Sequence, residues 1–146
     1  MVQTATILRD TIFYIKDFLD GEITDPISNR PTNQKFIMTS YPTRATTYPL
    51  ITIKDTNSYD SQTLGFQSEA SQHYIEIEIR VWAKSTKQRD DMADQIYQKL
   101  KDNQIGASGT SQANDIHDFQ LLSSVNVDEP EIKSKVMSFK FLFIAT

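Results

Sequence analysis

The sequence predicts an α+β fold, with a mostly antiparallel five-stranded sheet and two helices packed on one of its faces. Two segments have apolar residues at helical spacing, and five others have the composition or the alternating pattern of strands. The order of these segments along the chain is α-β-β-β-α-β-β. The length of 146 residues predicts a single domain over 1–146.

The first helix is predicted over residues 4–20, with Gly21 as its C-cap. One apolar stripe on this helix consists of Leu8, Ile12, Ile15 and Leu19. A second stripe beside it consists of Ile7, Tyr14 and Phe18. Because one stripe is enough for packing on a sheet, we expect the second to contact another subunit or partner.

Two short strands are predicted next, in KFIMTSY (35–41) and LITIKDT (50–56). Residues 56–70 are predicted to form a long polar loop, which carries Tyr59, Leu64 and Phe66. We expect this loop to supply a second contact patch that becomes ordered on assembly.

The clearest strand pattern of the chain lies in SQHYIEIEIRVWAKS (71–85). Its apolar face, formed by Ile75, Ile77, Ile79 and Val81, is expected to carry both helices. Glu76, Glu78 and Arg80 alternate with these residues and are expected on the opposite face.

A second helix is predicted to begin after Ser85, because Ser85 and Gln88 match a capping box. Its apolar face comprises Met92, Ala93, Ile96, Tyr97 and Leu100. After a loop over 102–115, the last two strands are predicted in 116–127 and 133–145, around Asp128-Glu129-Pro130.

Composition argues against several classes of function. The net charge is −4, with 15 Lys and Arg against 19 Asp and Glu, whereas tight binding to nucleic-acid backbones needs clustered basic residues. The absence of cysteine excludes disulfides, thiolate nucleophiles and Cys-ligated zinc. No apolar run has the length of a membrane span, and the N-terminal residues are not typical of a signal peptide. We therefore expect a protein that is retained inside the cell that makes it.

Two groups of residues are candidates for a catalytic site or a metal site. Glu78-x-Arg80, following a strand that ends at Asp55, is similar to the metal-binding carboxylates of PD-(D/E)xK nucleases. Arg80 would be a poor substitute for the lysine of that motif, because it stays protonated and cannot deprotonate a water. Asp115, His117 and Asp118 could form part of a metal site only with a further ligand such as His73. For both constellations, the simpler interpretation is a solvated or partner-facing surface. We therefore expect no enzyme activity, catalytic residue, metal or cofactor.

The middle of the chain resembles tail terminator and tail completion proteins of tailed viruses of the bacteriophage type. The matching residues are Val81-Trp82-Ala83 at the end of an alternating strand, then Ser85 or Thr86, and Met92-Ala93-Asp94 with Ile96 and Leu100 in the helix that follows. YPLITIKD (48–55) and the leading helix lie in the same order as in that family, so the similar organisation covers nearly the whole chain.

This resemblance implies a structural virion protein at the head-proximal end of the tail, made in the host cytoplasm. Such proteins form a ring, usually a hexamer, that caps the tail tube and joins it to the head connector. The implied partners are further copies of the chain, the tail tube protein and the head–tail connector, with no membrane. DNA would pass through the ring without specific binding, and Glu76, Glu78 and Arg80 are expected on an assembly or lumen surface. A neck or stopper protein with a similar fold is the alternative within this class. The nuclease and a host α+β binding module are the alternatives outside it.

Overall fold

The computed structural model describes residues 7–41, 47–64, 70–102 and 116–145, with side chains for 11–41, 47–59, 73–102 and 118–142. Two helices, α1 (Ile7–Glu22) and α2 (Thr86–Asp102), accompany one five-stranded sheet. In chain order, its strands are β1 (Ile37–Met38), β2 (Leu50–Leu64), β3 (Ala70–Ala83), β4 (Ile116–Asp128) and β5 (Lys133–Ala145). The predicted α+β class and element order are therefore confirmed.

The strands lie in the spatial order β1-β2-β3-β5-β4. β1 runs parallel to β2, whereas the pairs β2–β3, β3–β5 and β4–β5 are antiparallel, so the sheet is mixed. β3 lies at the centre, and β1 pairs with β2 only at Ile51 and Thr52. The sheet is thus bounded by β4 on one side and by β1 with β2 on the other.

One core fills the space between the sheet and the two helices. The alternating residues of β3 are buried in it together with Phe139 and Phe141 of β5, both of which have no exposed surface. Ile12, Ile15 and Leu19 of α1 and Ile96 and Leu100 of α2 belong to the same cluster. The prediction that the Ile75–Val81 face carries a helix is confirmed for α2, which contacts β3, whereas α1 contacts β1, β2 and α2.

The role predicted for the second stripe of α1 needs correction. Phe18 is only 5% exposed and belongs to the core, and Tyr14 packs against it. α1 contacts β1, β2 and α2, so it buries a wider band of its surface than a helix lying on a sheet alone. Phe18 therefore has little surface to offer to a neighbour. The side chain of Ile7 lies outside the described ones.

The polar loop predicted over 56–70 is wrong for residues 56–64. β2 continues to Leu64, and after a bulge beyond Asp55 its polar residues pair with β3, with Asn57 opposite Glu76 and Tyr59 opposite Tyr74. Cross-strand hydrogen bonds explain how a polar sequence stays extended: the Asn57 amide donates to Glu76 Oε2 (2.9 Å) and Thr56 Oγ1 donates to the Glu76 carbonyl (3.1 Å). Phe66 and the side chain of Leu64 lie outside the described part of the chain.

The second helix begins as predicted. The backbone amide of Gln88 donates to Ser85 Oγ (3.2 Å). This hydrogen bond satisfies one of the free backbone amides of the first helical turn. Met92, Ala93, Ile96 and Leu100 are buried, and Tyr97 packs against the core at the ring of Phe119. α2 is thereby fixed over β3 and β5.

Candidate functional site: the distal face and the edges of the sheet

The side of the sheet away from the helices, here called the distal face, carries Thr52, Glu76, Glu78 and Arg80. Glu76, Glu78 and Arg80 alternate with the core-facing residues of β3, and Thr52 pairs directly opposite Arg80. The structure therefore brings the three predicted charged residues onto one face. All three are partly buried, because neighbouring side chains cover them.

Aromatic rings and cations are interleaved at one end of the distal face. The Arg80 guanidinium lies 3.8 Å from the centre of the Trp82 ring, and its Nη2 donates to Ser134 Oγ (2.9 Å). Tyr41 contacts the Trp82 ring edge-on at 5.5 Å, and Trp82 Nε1 donates to Thr52 Oγ1 (3.0 Å). Arg80 is thus fixed by stacking and by hydrogen bonds, which suits a rigid surface.

The two carboxylates of the distal face also have partners. Tyr41 Oη donates to Glu78 Oε1 (2.9 Å), and Glu76 lies opposite Lys140 of β5 and accepts from Asn57. The Lys140 ammonium lies over the Tyr74 ring at 4.3 Å, beside Tyr59. Opposite charges therefore alternate across this face, so no uniformly acidic or basic surface forms among its described residues.

The strand register separates the carboxylates that the nuclease hypothesis needs together. Asp55 lies opposite Ile77, which is fully buried on the core side, whereas Glu78 lies opposite Lys54 on the distal face. Because adjacent strand residues point to opposite faces, Asp55 and Glu78 do not converge. Glu78 is instead bound to Tyr41.

The proposed histidine site is only partly within the described residues. His73 is buried and continues the core-facing alternation of β3, whereas Asp118 is exposed and accepts a hydrogen bond from Tyr74 Oη (3.3 Å). Asp115 and the side chain of His117 lie outside the described part. Among the residues that are described, no group of three His, Cys, Asp or Glu side chains is arranged to hold a metal ion.

The exposed apolar residues form a pattern that was not predicted from the sequence. Of the described side chains, seven large apolar ones are exposed. Leu121, Leu122, Val125 and Val127 lie on β4 at one edge of the sheet, and Tyr59 lies on β2 at the other edge. Tyr41 lies over the distal face, against Trp82 and Glu78. Phe13 on α1 is the seventh. The signal was present in LLSSVNV, which has apolar residues on both faces of a strand.

A scan against protein-family models finds no family that matches this chain, and a search of curated proteins finds no match either. Within the described residues, no helix is long and apolar enough to cross a bilayer.

Proposed function

We propose that this protein is a tail terminator or tail completion subunit of a tailed virus, which forms a ring that caps the tail tube and joins it to the head connector. The observation that supports this proposal best is the position of the exposed apolar residues. Four of the seven lie on β4 at one edge of the sheet, and Tyr59 lies on β2 at the other edge, beyond the residues that β1 covers. A closed ring needs two different patches on each subunit, each meeting the other patch on a neighbour.

The distal face suits a structural role better than catalysis. Its carboxylates are hydrogen-bonded to Tyr41 and Asn57, and its cations are stacked on aromatic rings. Such a face resists rearrangement and attracts phosphate groups weakly, because its positive charges have negative neighbours. If it lines the ring, DNA passes along it without specific binding, as expected for a conduit in a chain of net charge −4.

The experiment that tests this proposal is a mass measurement in solution followed by negative-stain imaging. The protein is measured alone and with the tail tube protein, since assembly can depend on that partner. A closed ring of several copies that binds the end of the tube is the expected result. A chain that remains a monomer with tube protein present would refute the proposal, and a ring that binds the connector but not the tube would identify a neck or stopper protein instead.

The nuclease alternative has its own assay. The protein is incubated with DNA and magnesium or manganese, and compared with Glu78→Ala. We expect no cleavage by either form. Cleavage by the wild type that is lost in Glu78→Ala would refute the structural assignment.

A further inference from the structure

We infer that the outward side of α1 in one subunit packs on the distal face of a second copy of the same chain, over the valines at the β4 side of that face. This inference rests on the proposed ring, because it names the contact that joins the subunits of the ring. Each subunit gives its helix to one neighbour and its sheet to the other, as a heterologous contact requires.

The first half of this contact is an apolar patch on the distal face, here called the valine patch and formed by Val125, Val127 and Val136. Val136 lies opposite Arg80 of β3 and opposite Val125 of β4, and Val127 is the next residue of β4 on the same face. Val125 is 54% exposed and Val127 is 39% exposed. Both helices pack into the core on the other side of the sheet, so neither of them covers this patch. A sheet face with exposed apolar residues is stabilised when another element buries it.

The end of the distal face that carries the valine patch is positively charged. Arg80 stacks on Trp82 and donates to a neutral hydroxyl, and it forms no ion pair with any carboxylate among the described residues. Lys54 is exposed and lies over the Tyr41 ring at 4.8 Å, again without an ion pair in the described part of the chain. The one carboxylate beside these two cations is Glu78, which accepts from Tyr41 Oη. An incoming carboxylate is therefore attracted to this end of the face.

The second half of the contact is the outward side of α1, formed by Phe13, Asp17 and Asp20. Phe13 is 53% exposed, and it is the large apolar side chain that the described helices leave in solvent. Both aspartates are exposed, one helical turn and two turns further along the same side. Asp20 is paired with Lys16 (3.3 Å), whereas Asp17 forms no ion pair with a described residue. This side of α1 therefore combines an uncovered aromatic ring with an unpaired carboxylate.

The spacing of the two halves agrees. Residues four apart on a helix, such as Phe13 and Asp17, have Cβ atoms about 5–6 Å apart. Residues directly opposite on neighbouring strands, such as Val136 and Arg80, have Cβ atoms about 4.5–5.5 Å apart. When the helix crosses the strands with Phe13 on the valine patch, Asp17 therefore reaches the Arg80 guanidinium. Apolar groups meet apolar groups and a carboxylate meets a cation, which identifies a second copy as the occupant.

The two halves lie on opposite sides of the sheet. α1 lies on the core side, towards β1 and β2, whereas the valine patch lies on the distal side, towards β4. One copy can therefore use both halves at once, each with a different neighbour, so the contact repeats from copy to copy as in a ring. The other end of the distal face, with Glu76 and Lys140, stays uncovered.

The test exploits the absence of cysteine from this chain. Phe13→Cys and Val125→Cys are combined in one chain and treated with oxidised glutathione, because two cysteines form a disulfide only when their Cα atoms approach within about 7 Å. The matched control combines Phe13→Cys with Leu121→Cys. Leu121 is also on β4 and 40% exposed, but it lies opposite core-facing Phe139 and therefore on the other side of the sheet. Circular dichroism establishes that each variant is folded, and Val127→Cys replaces Val125→Cys if the latter is not.

We expect the pair of cysteines at positions 13 and 125 to give a ladder of covalent multimers on non-reducing electrophoresis, up to the copy number of the ring. The control pair should give none. A mixture of the two single variants, Phe13→Cys and Val125→Cys, should give a covalent species of two chains. Tube protein is present wherever the wild type needs it for assembly. A ladder that extends without limit would support the contact but indicate open filaments in place of a closed ring.

Solution mass gives a second readout that does not depend on a disulfide. Phe13→Lys and Val125→Lys should each lose the ring, because each places a charge in one half of the contact. Leu121→Lys should keep the ring. A mixture of Phe13→Lys and Val125→Lys should give a species of two chains, because one intact valine patch and one intact Phe13 remain.

Other outcomes overturn the inference. If the control pair forms disulfides as readily as the pair at 13 and 125, the contact is not specific and the inference fails. If Val125→Cys forms a disulfide with itself, two distal faces meet each other and α1 is not the occupant. If a ring forms without a disulfide between positions 13 and 125, the subunits join elsewhere, although the proposed ring function stands. If the wild type remains a monomer with tube protein present, both the function and the contact are refuted.

Discussion

Replacing Arg89 by methionine should destabilise the protein by removing the polar link between α2 and the end of β4. The Arg89 side chain is 5% exposed, and its guanidinium donates to the Asp90 carboxylate (Nε to Oδ1, 2.9 Å) and to Asp128 Oδ1. A hydrogen bond to a charged group contributes roughly 1.5–3 kcal/mol when both partners are buried. Here Asp90 is 45% and Asp128 38% exposed, so water can replace part of each lost bond.

Lys135 also keeps Asp90 paired, with its Nζ 3.0 Å from Oδ1. We therefore assign about 1 kcal/mol to each lost bond and expect Arg89→Met to lower the free energy of unfolding by about 2 kcal/mol. Methionine keeps the apolar contacts of the arginine stem, so packing adds little to this figure. A double-mutant cycle with Asp128→Asn should show coupling between positions 89 and 128.

The assay is urea unfolding followed by circular dichroism, at two protein concentrations so that any effect of assembly on stability is visible. The hydrogen bond from Arg89, with a further one from Lys135, lowers the pKa of Asp90 in the folded protein. A carboxyl group with a lowered pKa stabilises the fold above its unfolded pKa and loses that contribution as the pH falls through the folded value. The difference between wild type and Arg89→Met should therefore shrink below about pH 4. A difference under about 0.5 kcal/mol at neutral pH, the size expected of an ordinary surface change, would refute this reasoning.

Three further predictions concern the fold. The ring of Phe139 is fully buried, with its centre 5.3 Å from that of Phe119. Phe139→Ala should therefore lower the free energy of unfolding in urea by about 3–5 kcal/mol. A decrease below about 1 kcal/mol would show that the core is loosely packed. Ser85→Ala should cost about 1 kcal/mol by loss of the helix cap, whereas Ser85→Asp, which keeps an accepting oxygen, should restore most of it. The hydrogen bond from Arg30 lowers the pKa of Asp25. The wild type should therefore lose stability relative to Asp25→Asn as the pH falls through that lowered value. If the free energies of unfolding of the two proteins changed in parallel with pH, the prediction would be wrong.

The elements with strong local signals could be predicted from the sequence. The predicted bounds of β5, 133–145, agree with the structure, because its alternating apolar residues match the period of a strand with one buried face. The start of α2 was fixed by Ser85 and Gln88, a pattern with a direct physical cause in the free amides of the first turn. These signals depend on neighbouring residues only.

The errors come from contacts between distant parts of the chain. Residues 56–64 look like a loop because they are polar, and only their pairing with β3 makes them a strand. Phe18 looked available for a partner because the sequence does not show that α1 is covered from more than one side. The opposite orientations of Asp55 and Glu78 follow from the register with β3, which neither strand specifies alone.

The same long-range contacts explain how β4 can be both exposed and well ordered. Near its beginning, Phe119 stacks against Phe139 and lies 5.4 Å from the Phe141 ring. At its end, Asp128 is held by Arg89 of α2. An edge strand fixed near both ends has less conformational entropy to lose when another chain packs against it. For the proposed ring, the core and α2 would therefore pre-organise β4, and the exposed valines and leucines between the two anchor points would be apolar surface available for burial.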